Sequence, residues 1–393
     1  MILDKKDDLP AFRSAIRQWL ADVLPPDWHT RMARATPQEE ADFQRWWMGE
    51  RHKVGLATPH WPREYGGSDL HLEHEIIIAD EFARANAPSS GMYIIALNHI
   101  PATLLAWGTQ AQKDKYLPGV ARGEVWCQGF SEPNAGSDLA SLRTRAVLDG
   151  DHYVVNGQKI WSSRSMFADY CILLARTDPA SSKHHGISYF ILDMKAPGVE
   201  VRPIRQATGE ANFGEIFLTD VHIPVENLVG EENKGWTVAQ STLAAERGVL
   251  AFEGAERRRY AYEKFYKAVL ERRAEWLEDG QLRREFIQLF AEMQAGRRLV
   301  RQLLKENAKP KDQQTPSMTP ACVKISSTTL MQKFGDLLAR LEGLESQKAL
   351  DGARGVEGDP MYEYLGSFGQ TIAAGTNEVM RNIIAERGLG LPR

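Results

Sequence analysis

Apolar positions along this chain change their period twice. From about Leu9 to Tyr116 they keep helical spacing: Phe12, Ile16 and Leu20 fall one turn apart, and Ile76–Ala85 and Ile94–Trp107 continue the style. After roughly Gly123 the period shortens. DHYVVNGQKIWSS, ADYCILLART, GISYFILDM, VEVRPI and GEIFLTDVHI follow at turn-separated intervals and predict a compact antiparallel sheet ending near Leu228. From Gly235 to about Ile384 the text is helical again. It is broken by KPKDQQTPSMTP (309–320), whose prolines and polar residues read as a linker. The order predicts an α+β protein with an N-terminal α-helical domain (1–123), a central antiparallel β-sheet domain (124–234) and a C-terminal helical domain (235–393).

Two short stretches punctuate this pattern. HWPREYGGSD (60–69) is a loop, marked by Pro62 and the Gly66-Gly67 pair. Asn156-Gly157, between two β-rich runs, predicts a tight hairpin, because this dipeptide accepts positive φ at both turn positions.

Composition narrows the classes without choosing among them. At 393 residues the chain is long enough for several domains with substantial cores. A formal charge of −4 gives no basic field for nucleic acid. The apolar runs Tyr170–Leu174 and Ile187–Leu192 are far too short to span a bilayer. MILDKKDDLP mixes both charges and lacks an apolar signal core, which predicts no export or transit signal and a cytoplasmic location. Cys127, Cys171 and Cys322 are odd in number and lack C-x-x-C spacing, so they read as buried thiols rather than disulfides or metal ligands. These features fit an enzyme or a scaffold.

Candidate chemistry lies at the seams between domains. CQGFSEPNAGSDLASLRTRA (127–146) joins the first helical block to the sheet, and Pro133, Asn134 and Gly136 break it after strand-like Gln128–Phe130. The turn gathers Ser131, Ser137 and several backbone N–H groups. Such a turn can hold a phosphate or the polar rim of a heterocycle, or it can be capped by its own side chains. Trp161-Ser162-Ser163 closes the next strand; its indole reads as core packing or as a flat wall for an aromatic cofactor. In TIAAGTNEVMRN (371–382), Gly375 and Thr376 suit backbone approach to a ligand at a capped helix start, yet Ala373 and Ala374 carry no acid or base.

Taken together, WPREYGG, SEPNAGSD, YVVNGQKIWSS, HIPVENLVGEENKGW (222–236) and GTNEVMRNII resemble the acyl-CoA dehydrogenase family, in its order and along nearly the whole chain. The resemblance implies that the C-terminal part is a four-helix bundle and that FAD lies between it and the β domain. It places Phe130 and Ser131 along the flavin ring, and Gly136 and Ser137 near the pyrophosphate and the CoA path. Trp161 covers the ring, Ser163 bonds near N5, and Thr376 and Glu378 reach the cofactor phosphates or ribityl chain. A carboxylate beside a pyrophosphate needs an extra proton or cation, which singles out Glu378 as the awkward member of this set.

In many members of the family a carboxylate precedes the Gly-Thr pair; here that position is Ala374. Others carry it on the first long bundle helix, directly before an arginine, and TLAAERGVL (242–250) puts Glu246 and Arg247 there. The helix pattern agrees, since Glu246 falls on the apolar stripe of Trp236, Ala239, Leu243 and Leu250. A carboxylate on an apolar face is desolvated, which raises its pKa and suits it to accept a proton near neutrality. The bland alternative is a glutamate that bends to solvent or pairs with an arginine. Arg247 is then a CoA or structural contact.

The resemblance further implies an acyl-CoA substrate, a trans-2-enoyl-CoA product, an electron-transfer flavoprotein as acceptor, and a homotetramer or homodimer. The family's Arg-x-x-Phe-Gly in the bundle is missing from RRRYAYEKFYKAVLERRAEW, and SQKALDGARGVEGDPMYEY stands where a Gln and Gly-Gly cluster is expected. Such departures accompany members assembled from two different chains, so a hetero-oligomer is the alternative, with an acyl-CoA oxidase on the same fold as another. APSSGMYIIALNHIPATLLAWG (87–108) resembles the acyl-pocket wall, where Ser89, Ser90 and Gly91 leave space for a wide acyl group or simply pack closely.

Overall fold

A computed structural model describes residues 2–244, 249–271, 275–307, 309, 313, 317–343 and 359–392. The N-terminal helices are α1 (Leu9–Val23), α2 (Trp28–Met32), α3 (Pro37–Lys53), α4 (Leu72–Arg84), α5 (Ile100–Trp107) and α6 (Gln110–Arg122). Their ends follow local chemistry. The Asp8 carboxylate accepts the Ala11 N–H at 3.0 Å to start α1, and Thr36 with Glu39 forms a reciprocal cap on α3. Phe12, Ile16 and Leu20 are the buried face of α1, as their spacing predicts. The 60–69 loop needs a residue without a side chain at Gly67, where a Cβ would lie 1.8 Å from the Trp61 carbonyl oxygen.

The middle of the chain is a seven-stranded sheet in the order β1-β4-β2-β3-β7-β6, with β5 on β4. Its strands are β1 (Trp126–Gly129), β2 (Arg145–Asp149), β3 (His152–Ser163), β4 (Tyr170–Arg176), β5 (Ile187–Asp193), β6 (Val199–Ile204) and β7 (Phe213–Pro224). Antiparallel pairs dominate, while β1 runs parallel to β4 with Cys127 beside Cys171. Both thiols are free and buried, and Cys322 is half-buried.

The expected hairpin at Asn156-Gly157 is not there. β3 runs straight through the dipeptide, and its pairing with β7 shifts register between Val155 and Gly157. The cause is tertiary. The Asn156 side chain donates to the Asp220 carboxylate and accepts the Asp220 N–H, both at 2.9 Å. A Cβ on Gly157 would lie 2.4 Å from Thr144 Oγ1. The glycine serves a β-bulge against β2's approach rather than a turn.

The C-terminal domain contains α7 (Gly235–Ala244), α8 (Val249–Glu271), α9 (Gly280–Asn307), α10 (Thr319–Glu342), α11 (Pro360–Ile372) and α12 (Asn377–Ile383). α8 packs on α4 and α9, α9 on α10, and α10 on α11. Of the 309–320 stretch, residues 310–312 and 314–316 lie outside the described residues, and Thr319 and Pro320 already begin α10. None of the described helices is long and apolar enough to cross a membrane, and no group of His, Cys, Asp or Glu among the described residues could hold a metal ion.

Candidate active site

The domain junction is sewn onto the sheet by a buried ion pair that the sequence pattern did not announce. Lys159 is fully buried on β3, and its Nζ donates to Glu132 Oε1 at 2.8 Å and to the Phe130 carbonyl at 3.1 Å. Glu132 also accepts the N–H groups of Arg143 (2.6 Å) and Thr144 (2.8 Å). Burial pushes the Glu132 carboxyl up; the Lys159 charge and these hydrogen bonds outweigh it and hold the group below its ordinary value. Burial lowers Lys159, with Glu132 opposing. A lysine inside a β-rich run is the signal that could have pointed here, since a buried ammonium requires an anion.

This pairing brings the separated motifs together. The Ser131 carbonyl accepts the Ile160 N–H at 2.9 Å, one residue before Trp161. Phe130 is buried and meets the Tyr189 ring edge-on at 5.8 Å; Ser131 is half-buried. Glu132 and Ala135 exchange backbone hydrogen bonds, both 3.0 Å, so the turn closes on itself at Pro133-Asn134. Gly136 and Ser137 follow on its exposed side, and a Cβ at Gly136 would meet nothing within 4 Å.

Trp161 sits at a second irregularity in β3, between Lys159 and Ser162, with φ of 61°. A left-handed backbone is uncommon for so bulky a residue and clusters at ligand sites. Trp161 is 57% exposed and meets Phe213 edge-on, so it is not part of the core. Ser163 is half-buried and pairs across to Phe213. Arg164, again left-handed at φ 56°, donates its N–H to the Asn212 carbonyl at 2.8 Å. The Asn212 amide reaches Glu210 at 2.7 Å, and Tyr362 of α11 donates to the same carboxylate at 3.0 Å. The bundle is thereby tied to the sheet beside Ser163.

At the other edge, Thr376 Oγ1 accepts the Val379 N–H at 3.1 Å and caps α12, as its position predicts. Ala374 and Gly375 both have positive φ, 54° and 84°, and Lys324 donates to the Ala373 carbonyl at 2.7 Å. Glu378 is exposed and pairs with Arg381 at 3.1 Å. Glu246 and Arg247 lie outside the described residues. The approach to them is described: Ala239 is buried, and Trp236 and Leu243 pack on the same core. Thr242 Oγ1 lies 2.7 Å from Thr103 Oγ1 and 3.2 Å from the Tyr189 hydroxyl. The end of α7 is anchored to the tyrosine that Phe130 touches.

Two buried polar atoms beside this site have no partner among the described residues. Gln128 Nε2 lies on the β1 face shared with Phe130, and Ser162 Oγ is flanked by Trp161 and Ser163. An unpaired buried donor is costly unless something meets it. The pair lies within two residues of Phe130 and Trp161, the positions expected along the flavin ring.

Comparison with known proteins gives this arrangement its family. Three family models match in sequence order: acyl-CoA dehydrogenase N-terminal domain over residues 6–124, middle domain over 127–221 and C-terminal domain over 233–389. The chain belongs to the acyl-CoA dehydrogenase family, FAD-dependent oxidoreductases. Among curated relatives, acyl-CoA dehydrogenase IpdE1 of Mycolicibacterium smegmatis is 35% identical, with 98% of each chain covered. Among solved structures, the Tcur3481-Tcur3483 steroid ACAD is 29% identical with a TM-score of 0.84 and full coverage (100%) of both chains. A chain of the ChsE4-ChsE5 complex from Mycobacterium tuberculosis is 28% identical with a TM-score of 0.77, covering 99% of this chain and 98% of that one.

Proposed function

We propose that this chain dehydrogenates an acyl-CoA thioester to the trans-2-enoyl-CoA, using bound FAD and Glu246 as the base. The observation that carries the reading is the anchoring of Thr242, four residues before Glu246, against Tyr189 and hence beside Phe130. Ala374 offers no carboxylate at the opposite edge.

The chain's own groups would act as follows. Phe130, Ser131, Trp161 and Ser163 would frame the flavin ring, with Gln128 and Ser162 supplying unpaired polar atoms at its margin. Gly136 and Ser137 would leave room for the pyrophosphate and the CoA path, and Thr376 and Glu378 would border the phosphates or ribityl chain. Glu246, desolvated on an apolar stripe, would take the α proton made acidic by the polarised thioester carbonyl. Arg247 would hold CoA or the local fold. FAD, when bound, supplies the redox half of the reaction by accepting the β hydrogen with its electron pair. We take an electron-transfer flavoprotein as acceptor and a homotetramer or homodimer as the assembly.

A second reading is favoured by the altered bundle motifs and by the likeness to a chain of the two-component ChsE4-ChsE5 complex: this chain as one subunit of a hetero-oligomeric acyl-CoA dehydrogenase for bulky substrates. An oxidase on the same fold would differ in making peroxide in air. An anaerobic absorbance titration of the purified protein with a panel of acyl-CoAs, followed by admission of air, tests all three. A yellow protein bleached by a thioester supports the first reading. A colourless one that gains flavin on co-expression with a partner supports the second. Failure to bleach in either form overturns the activity.

A further inference from the structure

The stretch SQKALDGARGVEGDPMYEY, which lacks the family's Gln and Gly-Gly cluster, runs into the start of α11. α11 packs on α10, and it meets the sheet through the loop between β6 and β7 (205–212). The Tyr362 hydroxyl donates to Glu210 Oε2 at 3.0 Å, and the Asn212 amide donates to the same oxygen at 2.7 Å. One helical turn on, Gly366 faces the same loop: a Cβ there would lie 3.7 Å from Thr208 Cγ2, and Thr208 is buried. Positions four apart share a helix face, so one face of α11 is seated on one loop. The loop is closed on itself. Gln206 accepts the Asn212 N–H with its side chain at 3.0 Å, and its own N–H donates to the Glu210 carbonyl at 2.8 Å.

Arg164 is the other end of this tie. Its N–H donates to the Asn212 carbonyl at 2.8 Å, and its guanidinium donates to Glu40 of α3 at 3.3 Å. Trp161 and Arg164 both hold positive φ, 61° and 56°, with Ser163 between them. Such backbone persists only where its surroundings over-determine it, and the Asn212 carbonyl is one of those constraints. At the far end of α11, roughly 15 Å from Tyr362 at about 1.5 Å per residue, the chain enters the Ala374–Thr376 edge. There Lys324 of α10 donates to the Gln370 and Ala373 carbonyls, and Thr328 Oγ1 lies 3.0 Å from Asn377 Oδ1. α11 is therefore a strut. Its first turn is bonded toward Ser163, and its last turn is clamped where Thr376 begins α12.

We propose that Tyr362 is a positioning residue: through Glu210 and Asn212 it sets the distance between the Trp161–Ser163 edge and the Ala374–Thr376 edge. The inference rests on reading these two edges as the sides of the flavin site. A hydroxyl bonded to a carboxylate is stronger than a neutral pair. Without it, fewer molecules hold the two edges at the spacing the cofactor needs, and the apparent Kd for FAD rises by the inverse of that fraction.

The test uses Tyr362→Phe, which removes only the hydroxyl, Asn212→Ala, which keeps the carbonyl that holds Arg164, and the double variant. FAD is titrated by fluorescence into the flavin-stripped protein, with its partner subunit if one is required, and backbone amide exchange is followed in the same samples. Each single variant should raise the Kd for FAD on the order of 3- to 10-fold. The double should be no worse than the weaker-binding single, because both cut one relay. In Tyr362→Phe, amide exchange should quicken at residues 161–167 and at 373–378 together. A residue that merely supports local structure would quicken only the 205–213 loop and the first turn of α11, and that pattern overturns the proposal. So does an unchanged Kd in both single variants, or a double variant whose loss is the sum of the two. If the native chain takes up no flavin in either form, the flavin reading fails by itself, and exchange at residues 373–378 still decides whether Tyr362 holds the two edges.

Discussion

Lys159 Nζ stands 2.8 Å from Glu132 Oε1, and the same ammonium holds the carbonyl of Phe130. One buried cation therefore fixes both the turn that leaves β1 and the residue that meets Tyr189. Replacing Lys159 with Met strands the Glu132 carboxylate, and breaking a buried pair from one side costs about 3–5 kcal/mol. Denaturant unfolding should show this loss, with the double substitution Lys159→Met, Glu132→Leu recovering a substantial part. A double variant no better than the single would mean that the backbone hydrogen bonds to Glu132 matter more than the ion pair.

Glu246→Gln should leave flavin bound while slowing its bleaching by a good acyl-CoA about 10²–10⁴-fold. Stopped-flow absorbance separates the two effects. Full activity in the variant would transfer the base role to another carboxylate.

Gln128→Leu removes the unpaired donor on the Phe130 face. Flavin affinity should fall on the order of tenfold, while the flavin-free protein becomes no less stable, because an orphaned buried donor has been removed. Fluorescence titration of apoprotein with FAD and thermal melts of the same sample read both quantities. Loss of stability with unchanged affinity would make Gln128 a packing residue.

Gly157→Ala places a methyl 2.4 Å from Thr144 Oγ1 and 2.7 Å from its Cα. Backbone must shift, and overpacking of this kind costs about 1–3 kcal/mol. Urea unfolding midpoints give the number. A neutral outcome would mean that β2 moves freely at Thr144.

The Glu81 side chain is completely buried and takes hydrogen bonds from Arg13, Arg17 and Arg84 at 2.7–3.1 Å. Burial pushes its carboxyl up, and the arginines override this to bring it from 4.5 down to about 2. Between those values the unfolded chain binds more protons than the folded one, so stability rises with pH across that interval. The gap in Tm between the native chain and Glu81→Gln should be full above about pH 4.5 and close as pH falls toward about 2. Because the arginines are partly exposed, the matching difference in unfolding free energy should be on the order of 1–2 kcal/mol. A gap independent of pH would assign the effect to packing.

The sequence alone determined whatever is written in short stretches. The spacing of Phe12, Ile16 and Leu20 fixed a helix face, Thr376 announced its cap, and the switch of period near Gly123 separated helices from sheet. These features depend on neighbours within one turn or one strand, so local physics suffices. Tertiary structure decided what Asn156-Gly157 does, because Asp220, 64 residues away, and Thr144 choose a bulge over a turn. It also decided that Trp161 is exposed in a left-handed conformation and that Lys159 belongs to Glu132. Such facts are sums over distant segments meeting in space, and no window of the chain contains them.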